Sequence, residues 1–278
     1  MIKLHSAVLL FALAGLFAKW LPLSAYWLVL GRTSFAAITL FVFLFVTQRN
    51  ALKIGRSDIP SIIFSGVLLL LHWLTFFYAI QLSTVAFGLL VFASFPIFTL
   101  IISAITEKTL PTVTDYLQAI AMVLGIGLLV WDSGLVANLN ALLMGLSSAL
   151  TFALLLTINK ALARQYRSAT IASYQNLVAC LFALPFIGFA QEPLHQVYEY
   201  LPELIMLGVV FTALAHSLLT SSLRLLSTFM VSLAICLEPV YGTVAAVLLL
   251  NETLTLGVIL GGTIILSVNF YHALTSNN

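Results

Sequence analysis

Apolar residues run along this chain in ten blocks, each long enough to cross a bilayer, with polar and charged residues gathered at the joints. The blocks predict helices at 4–20, 25–47, 59–80, 83–105, 113–131, 138–161, 168–189, 202–221, 226–250 and 255–273. A hydrocarbon core about 30 Å thick takes about 20 helical residues, which is the length the blocks supply. Helix breakers mark the joints at Pro22, Pro60, Pro111, Gly134, Pro193 and Pro202. The joint at Gln81–Thr84 is short enough to force the third and fourth segments into a close hairpin.

The fifth block ends near the midpoint, and short motifs from the first half return in the second. Phe11-Ala12-Leu13 and Lys19 match Phe152-Ala153-Leu154 and Lys160 at one spacing. His72 precedes Leu82-Ser83-Thr84 as His216 precedes Leu226-Ser227-Thr228, and Ser24-Ala25 and Ser168-Ala169 open equivalent blocks. Pro96 is followed by Glu107, and Pro239 by Glu252, at slightly different intervals. The pattern divides the chain into residues 1–134 and 135–278. Two copies with five crossings each must lie upside down relative to one another. The expected fold is therefore all-α and integral to the membrane, with ten transmembrane helices as two inverted five-helix repeats around a central cavity.

Composition supports lipid as the solvent. Hydrophobic residues make up 62% of the chain and charged residues 7%, against about 25% charged in a soluble domain. The net charge of +2 says little about partners, and nothing predicts binding to nucleic acid. Cys180 and Cys236 both fall inside apolar blocks and read as packing residues, not a disulfide or metal pair. The run from Leu4 to Trp20 superficially resembles a signal peptide, but no clean small-x-small cleavage site follows, so it reads as a retained first helix.

The distribution of charge sets the expected orientation. With the N-terminus in the cytoplasm, Lys3, Arg49, Lys53, Arg56, Lys108, Lys160, Arg164, Arg167 and Arg224 all fall on the cytoplasmic side. The other side holds Lys19 with Asp132, Glu192, Glu199, Glu203 and Glu252. Both termini are then cytoplasmic.

Polar groups inside the blocks are the candidate functional residues, because a charge at mid-membrane costs roughly 2.5–3.5 kcal/mol on insertion scales. Arg32 reads either as a cation attracting a carboxylate substrate or as a residue snorkelling to the outer interface beside Tyr26 and Trp27. Glu238 beside Pro239 reads as a titrating carboxylate or as a static partner. By depth, Arg32 falls toward the external half and Glu238 toward the cytoplasmic half, which argues against a direct pair. His72 and His216 occupy equivalent places and can change charge near physiological pH. Thr212, His216 and Thr220 share one helix face, as a cavity wall or as interhelical hydrogen-bonding groups. Ser148, Thr151 and Asn159 line one side of the sixth block, and Tyr174, Gln175 and Asn176 cluster in the seventh. Trp73, Phe76, Tyr78, Phe87, Phe95 and Tyr241 would give an aromatic wall or ordinary packing. Gly257 and Gly261 permit close approach of another helix, either the fifth block with its Gly125 and Gly127 or, as the alternative, a second copy of the chain. Glu107 and Glu252 read as caps or junction contacts.

The Leu-His-Trp-Leu-Thr-Phe-Phe-Tyr-Ala run from Leu71 and the Leu-Glu-Pro-Val-Tyr-Gly run from Leu237, before Asn251-Glu252-Thr253-Leu254, resemble the EamA family of the drug/metabolite transporter superfamily over essentially the whole chain. The first half departs from the pattern, with Phe95-Pro96 in place of Glu-Pro. The resemblance implies a secondary transporter that exports small organic metabolites such as amino acids, with a drug or other metabolite permease as the alternative. It implies a small-molecule substrate and a bacterial inner-membrane setting. We expect no cofactor and no metal, and a chain that works as a monomer. No glycine-rich phosphate loop, HExxH, GxSxG or pair of intramembrane aspartates is present, which argues against direct ATP drive, an intramembrane enzyme and, with the patchy polar positions, a passive channel.

Overall fold

Every regular element among the described residues is helical. The computed structural model describes residues 2–107, 112–132, 135–190, 192–225, 235 and 237–275. Helices α1 (Ile2–Trp20), α2 (Ala25–Thr47) and α3 (Ile59–Leu82) follow the first three blocks almost residue for residue. They are followed by α4 (Val85–Phe92), α5 (Phe95–Glu107), α6 (Val113–Asp132), α7 (Leu135–Leu162) and α8 (Ser168–Ala183). The chain ends with α9 (Leu194–Glu199), α10 (Leu201–Gly208), α11 (Ala215–Leu225), α12 (Glu238–Leu250) and α13 (Leu256–Thr275).

Seven helical segments are long and apolar enough to cross a membrane: Ile2–Trp20, Ala25–Thr47, Arg56–Leu82, Val85–Ile102, Leu139–Leu162, Ser168–Gly188 and Leu201–Leu219. Three shorter apolar helices, Val113–Leu129, Glu238–Leu250 and Leu256–Tyr271, occupy the remaining predicted positions. The expected start of the ninth span, together with Cys236, lies outside the described residues.

Three predicted spans are less regular than the hydrophobic pattern suggested. The fourth breaks between Phe92 and Phe95, because Pro96 has no N–H to continue the ladder. Asn269 Nδ2 donates to the freed Ala93 carbonyl at 3.0 Å, and the Ser94 hydroxyl turns back to Val91 O at 2.7 Å. The seventh tightens at Pro185 into a 3₁₀ stretch, Leu184–Phe189. The eighth carries a π-helical stretch, Val209–Leu214, between α10 and α11. The tight third–fourth joint is as expected, with Thr84 Oγ1 accepting from Phe87 N at 3.1 Å to start α4.

The burial pattern is inverted relative to a soluble protein. Val46, Ile105, Trp131 and Leu248 stand on the outside, while Arg32, Gln175, Asn176, Thr212 and Asn269 are buried. Lipid satisfies the former and cannot satisfy the latter, so the polar groups turn inward.

The helix pairings repeat. α3 packs on α7 and α8, α1 on α11, and α2 on α10; α4 and α5 pack on α7, and α1 on α12. α2 also packs on α8, α4 on α12 and α6 on α13. Exchanging the two halves of the chain maps each of these pairings onto another of them or onto itself. An offset of 144 residues relates His72 to His216 and Ser24 to Ser168. At the α6–α13 seam the backbones touch through Gly125 and Gly261: a Cβ built on Gly261 would lie 2.5 Å from Gly125 O. Gly127 has open space around it, so the close approach uses only one of the two glycines expected from the fifth block.

Candidate functional site

A cavity with about 40 Å³ of water-accessible space lies between the two halves. Phe11, Arg32, His72, Trp73, Phe76 and Phe92 line it from the first half, and Phe152, His216, Ile235 and Glu238 from the second. One water needs roughly 15 Å³ on this measure, so the space suits two or three waters and is too small for a metabolite.

Among the described residues Arg32 is the largest buried polar side chain, at 1% exposure. Its Nε donates to Thr212 Oγ1 at 3.0 Å, and its guanidinium carbon stands 3.8 Å from the centre of the Trp73 ring and 5.3 Å from that of Phe77. The geometry is cation–π stacking with one edge fixed, which leaves the terminal fork of the guanidinium to meet a planar anion. The π-helical stretch explains the anchor: Thr212 Oγ1 donates five residues back, to Leu207 O at 2.7 Å, and that wide turn aims the hydroxyl at Arg32. Thr212 therefore holds Arg32 and does not itself line the cavity. Thr220, its neighbour on the face read from the sequence, has a side chain outside the described set.

His216 meets the edge of Trp73, with ring centres 5.2 Å apart and planes at 87°, and the edge of Phe11 at 4.9 Å. His72 lies among Phe76, Phe92 and Phe152, and its Nδ1 sits 2.9 Å from Ser148 Oγ and 3.2 Å from Ser148 O. Ser148 in α7 thus fixes the ring of His72 in α3. Glu238, at the start of α12, completes the lining. Arg32 and Glu238 both reach this cavity, although their depths along straight helices put them apart. No ion pair joins them among the described residues.

The other sequence candidates lie elsewhere. Tyr78 is 41% exposed on the outer side of α3, because it is rotated away from the His72–Trp73–Phe76 face. Tyr241, one turn past Glu238, packs half-buried against the main apolar core. Gln175 Nε2 donates to Asn159 Oδ1 at 2.6 Å and to Ser65 Oγ at 2.8 Å, which ties α8 to α7 and α3. Tyr174 donates to Leu52 O at 2.7 Å. Sequence reasoning missed Phe11, Phe92 and Phe152 as lining residues. Two of them, Phe11 and Phe152, are the paired first members of the repeated Phe-Ala-Leu motif, so the repeat itself carried the signal. The same 144-residue offset relates Arg32 to Asn176 and Glu238 to Ser94, so the charged pair of the cavity is neutral in its counterpart. Among the described residues no cluster of three His, Cys, Asp or Glu side chains could hold a metal.

Both ends are tied across the halves. At the end opposite the basic loops, Glu252 accepts from Val85 N at 2.8 Å and Ala86 N at 3.4 Å, capping α4. Glu192 accepts from Ser24 N at 2.7 Å and Ser24 Oγ at 3.0 Å, at the start of α2. Within the first half at the same end, Gln81 Oε1 accepts from Ala25 N at 3.0 Å, and Lys19 Nζ donates to Gln81 O at 3.2 Å. At the basic end, Tyr166 donates to Asp58 Oδ2 at 2.6 Å and accepts from Gly55 N at 3.0 Å, and Thr170 donates to Ala51 O at 2.9 Å. The bond to Asp58 raises the Tyr166 phenol above its ordinary value.

The sequence profile described as the EamA-like transporter family matches residues 1–131 and, a second time, residues 139–269. Among solved structures 26 chains match. One crystal structure, 15% identical in sequence, covers 99% of this chain and 96% of its own with a TM-score of 0.68, and so shares the fold. No curated protein matches the chain.

Proposed function

Because the chain belongs to the EamA-like transporter family, we propose that it is a secondary active transporter that exports a small organic metabolite, with amino acids as the first class to test, by alternating access. In this reading residues 1–134 and 135–278 are inverted repeats of five spans each. Both termini face the cytoplasm of a bacterial inner membrane, and one chain suffices for transport. The observation that carries the reading is a cavity lined from both halves to which the described residues bring one guanidinium, one carboxylate and a ring of aromatic side chains. A zwitterion fits that set: its carboxylate meets the free fork of Arg32, its ammonium meets Glu238, and its apolar part packs on Trp73, Phe92 and Phe152. The small volume and the ties at both ends describe a closed state, from which one end must release before a solute enters.

The test is efflux and counterflow in proteoliposomes with a panel of amino acids and related metabolites. Saturable counterflow of at least one solute is expected. Absence of counterflow across the panel, or flux without saturation, overturns the proposal. Glu238→Gln keeps shape and removes the charge that would meet an ammonium. Transport of a zwitterion should fall about tenfold, since a hydrogen bond to a charged group contributes about 1.5–3 kcal/mol. An unchanged rate takes Glu238 out of the mechanism.

The tie at Glu252 gives a second expectation. Glu252→Ala leaves the first N–H groups of α4 without their acceptor, and a lost cap costs about 1 kcal/mol, a shift of about fivefold in an equilibrium. In a background with Cys180→Ser and Cys236→Ser, a cysteine at Ala14 reports opening, because Ala14 lines the cavity. Labelling by an impermeant thiol reagent from the side opposite the basic loops should speed up about fivefold in Glu252→Ala. Equal labelling rates would mean that Glu252 caps α4 without closing that end.

A further inference from the structure

A second hollow lies at the basic end, where α2 gives way to the 3₁₀ turn Arg49–Leu52 and α8 begins. It holds about 540 Å³ of water-accessible space and is lined by Thr47, Gln48, Arg49, Asn50, Ala51 and Arg167. Two guanidinium groups face it, and among the described residues no carboxylate does. The nearest acidic side chain along the loop, Asp58, is engaged by the Tyr166 hydroxyl. Arg167 Nη1 is held by Gln48 Oε1, and the Arg49 guanidinium carbon stands 4.5 Å from the centre of the Phe45 ring. Both cations are therefore positioned by neighbours and do not sweep freely through solvent.

What continues from the hollow identifies its occupant. The last two turns of α2 expose Val42, Phe43, Phe45 and Val46, at 57%, 49%, 55% and 76%. The apolar column reaches the hollow at Phe45, over whose ring the Arg49 guanidinium lies. A free anion would use the arginines and ignore the column; an acyl chain alone would use the column and ignore the arginines. An amphiphile with an anionic head uses both.

We propose that this hollow is a binding site for an anionic phospholipid, whose phosphodiester lies between Arg49 and Arg167 and whose acyl chains lie along Val42, Phe43, Phe45 and Val46. The head group then bridges the end of α2 to the start of α8, and so joins the two halves at this end. The site is independent of what the central cavity carries.

The test is native mass spectrometry of the full chain in detergent, titrated with phosphatidylglycerol, phosphatidylcholine or glycerol 3-phosphate. Wild-type protein should retain phosphatidylglycerol over phosphatidylcholine and ignore glycerol 3-phosphate. Arg49→Gln with Arg167→Gln should bind phosphatidylglycerol about 25-fold more weakly, on about fivefold per basic residue at a lipid surface. Lys160→Gln with Arg164→Gln removes two charges at the same end but outside the hollow, and should leave affinity within about twofold. Equal retention of both lipids overturns the site, and this needs no variant to fold. Glycerol 3-phosphate binding as well as the lipid does so too, and so does an equal loss in the two double variants, which would mean diffuse charge attraction.

Discussion

Arg32→Ala is expected to lower transport about 100-fold while the protein still inserts and folds. The magnitude follows from what the side chain is placed to do. A charge-assisted hydrogen bond contributes about 1.5–3 kcal/mol, which is roughly 10- to 150-fold in rate or affinity. Removing Arg32 also leaves Glu238 in the cavity without its opposite charge. Arg32→Lys should recover little of this. An ammonium has no Nε edge for Thr212 and no plane to lie 3.8 Å over Trp73 with a second edge free. The measurement is initial efflux per inserted molecule, for whichever solute the wild-type protein moves, beside a detergent melt. If Arg32 were only a packing group, the melting temperature would drop and transport per folded molecule would stay; that result removes it from the mechanism. Combining Arg32→Ala with Glu238→Gln adds a further check. Two charges that serve one solute should lose less together than the sum of their separate losses, because once one end of a zwitterion is released the other contributes little.

Much of this arrangement was legible in the order of the residues, and the part that was not has a common cause. The spans were readable because lipid imposes length and apolarity on every crossing, so α2 begins and ends where its block does. The kinship of the halves was readable in His72 and His216, which the fold brings to one cavity. Periodicity, however, gives the face of a helix and not its neighbour. It could not say that Tyr78 points outward while Trp73, on the same helix, stacks on a cation. Depth counted along straight helices put Arg32 and Glu238 apart, whereas the structure brings both to one cavity with Thr212 as the anchor for Arg32. That anchor depends on the π-helical stretch, and no feature of Val209–Leu214 announces its extra-wide turn. The caps supplied by Glu192 and Glu252 reach 168 and 167 residues along the chain, far beyond any local motif. Gln175 and Asn159 looked like cavity groups because both are polar and inside the membrane, and they serve instead to satisfy each other.

The seam between α6 and α13 yields the second large effect, on stability. A Cβ on Gly261 would meet Gly125 O at 2.5 Å, Leu129 Cγ at 3.1 Å and Leu129 N at 3.2 Å. Two of those three atoms belong to backbone, which cannot move aside as a side chain turns to a new rotamer, so the helices must separate. Overpacking of this kind costs about 1–3 kcal/mol for a single methyl group and more for a larger side chain. For a chain of this size 1 kcal/mol corresponds to roughly 2–4 °C in melting temperature. Gly261→Ala should therefore lower the detergent melting temperature by about 3–10 °C, and Gly261→Leu should remove most of the folded yield. Gly127→Ala is the control: it lies on the same helix as Gly125, its added methyl meets nothing within 4 Å, and it should be silent. Because the contact joins the two halves of one chain, the loss should not depend on protein concentration. A melting temperature that recovers as the protein is concentrated would reassign the glycine face to an interface between copies. Equal damage from Gly127→Ala would mean that close backbone approach at Gly125 and Gly261 is not what holds α6 to α13.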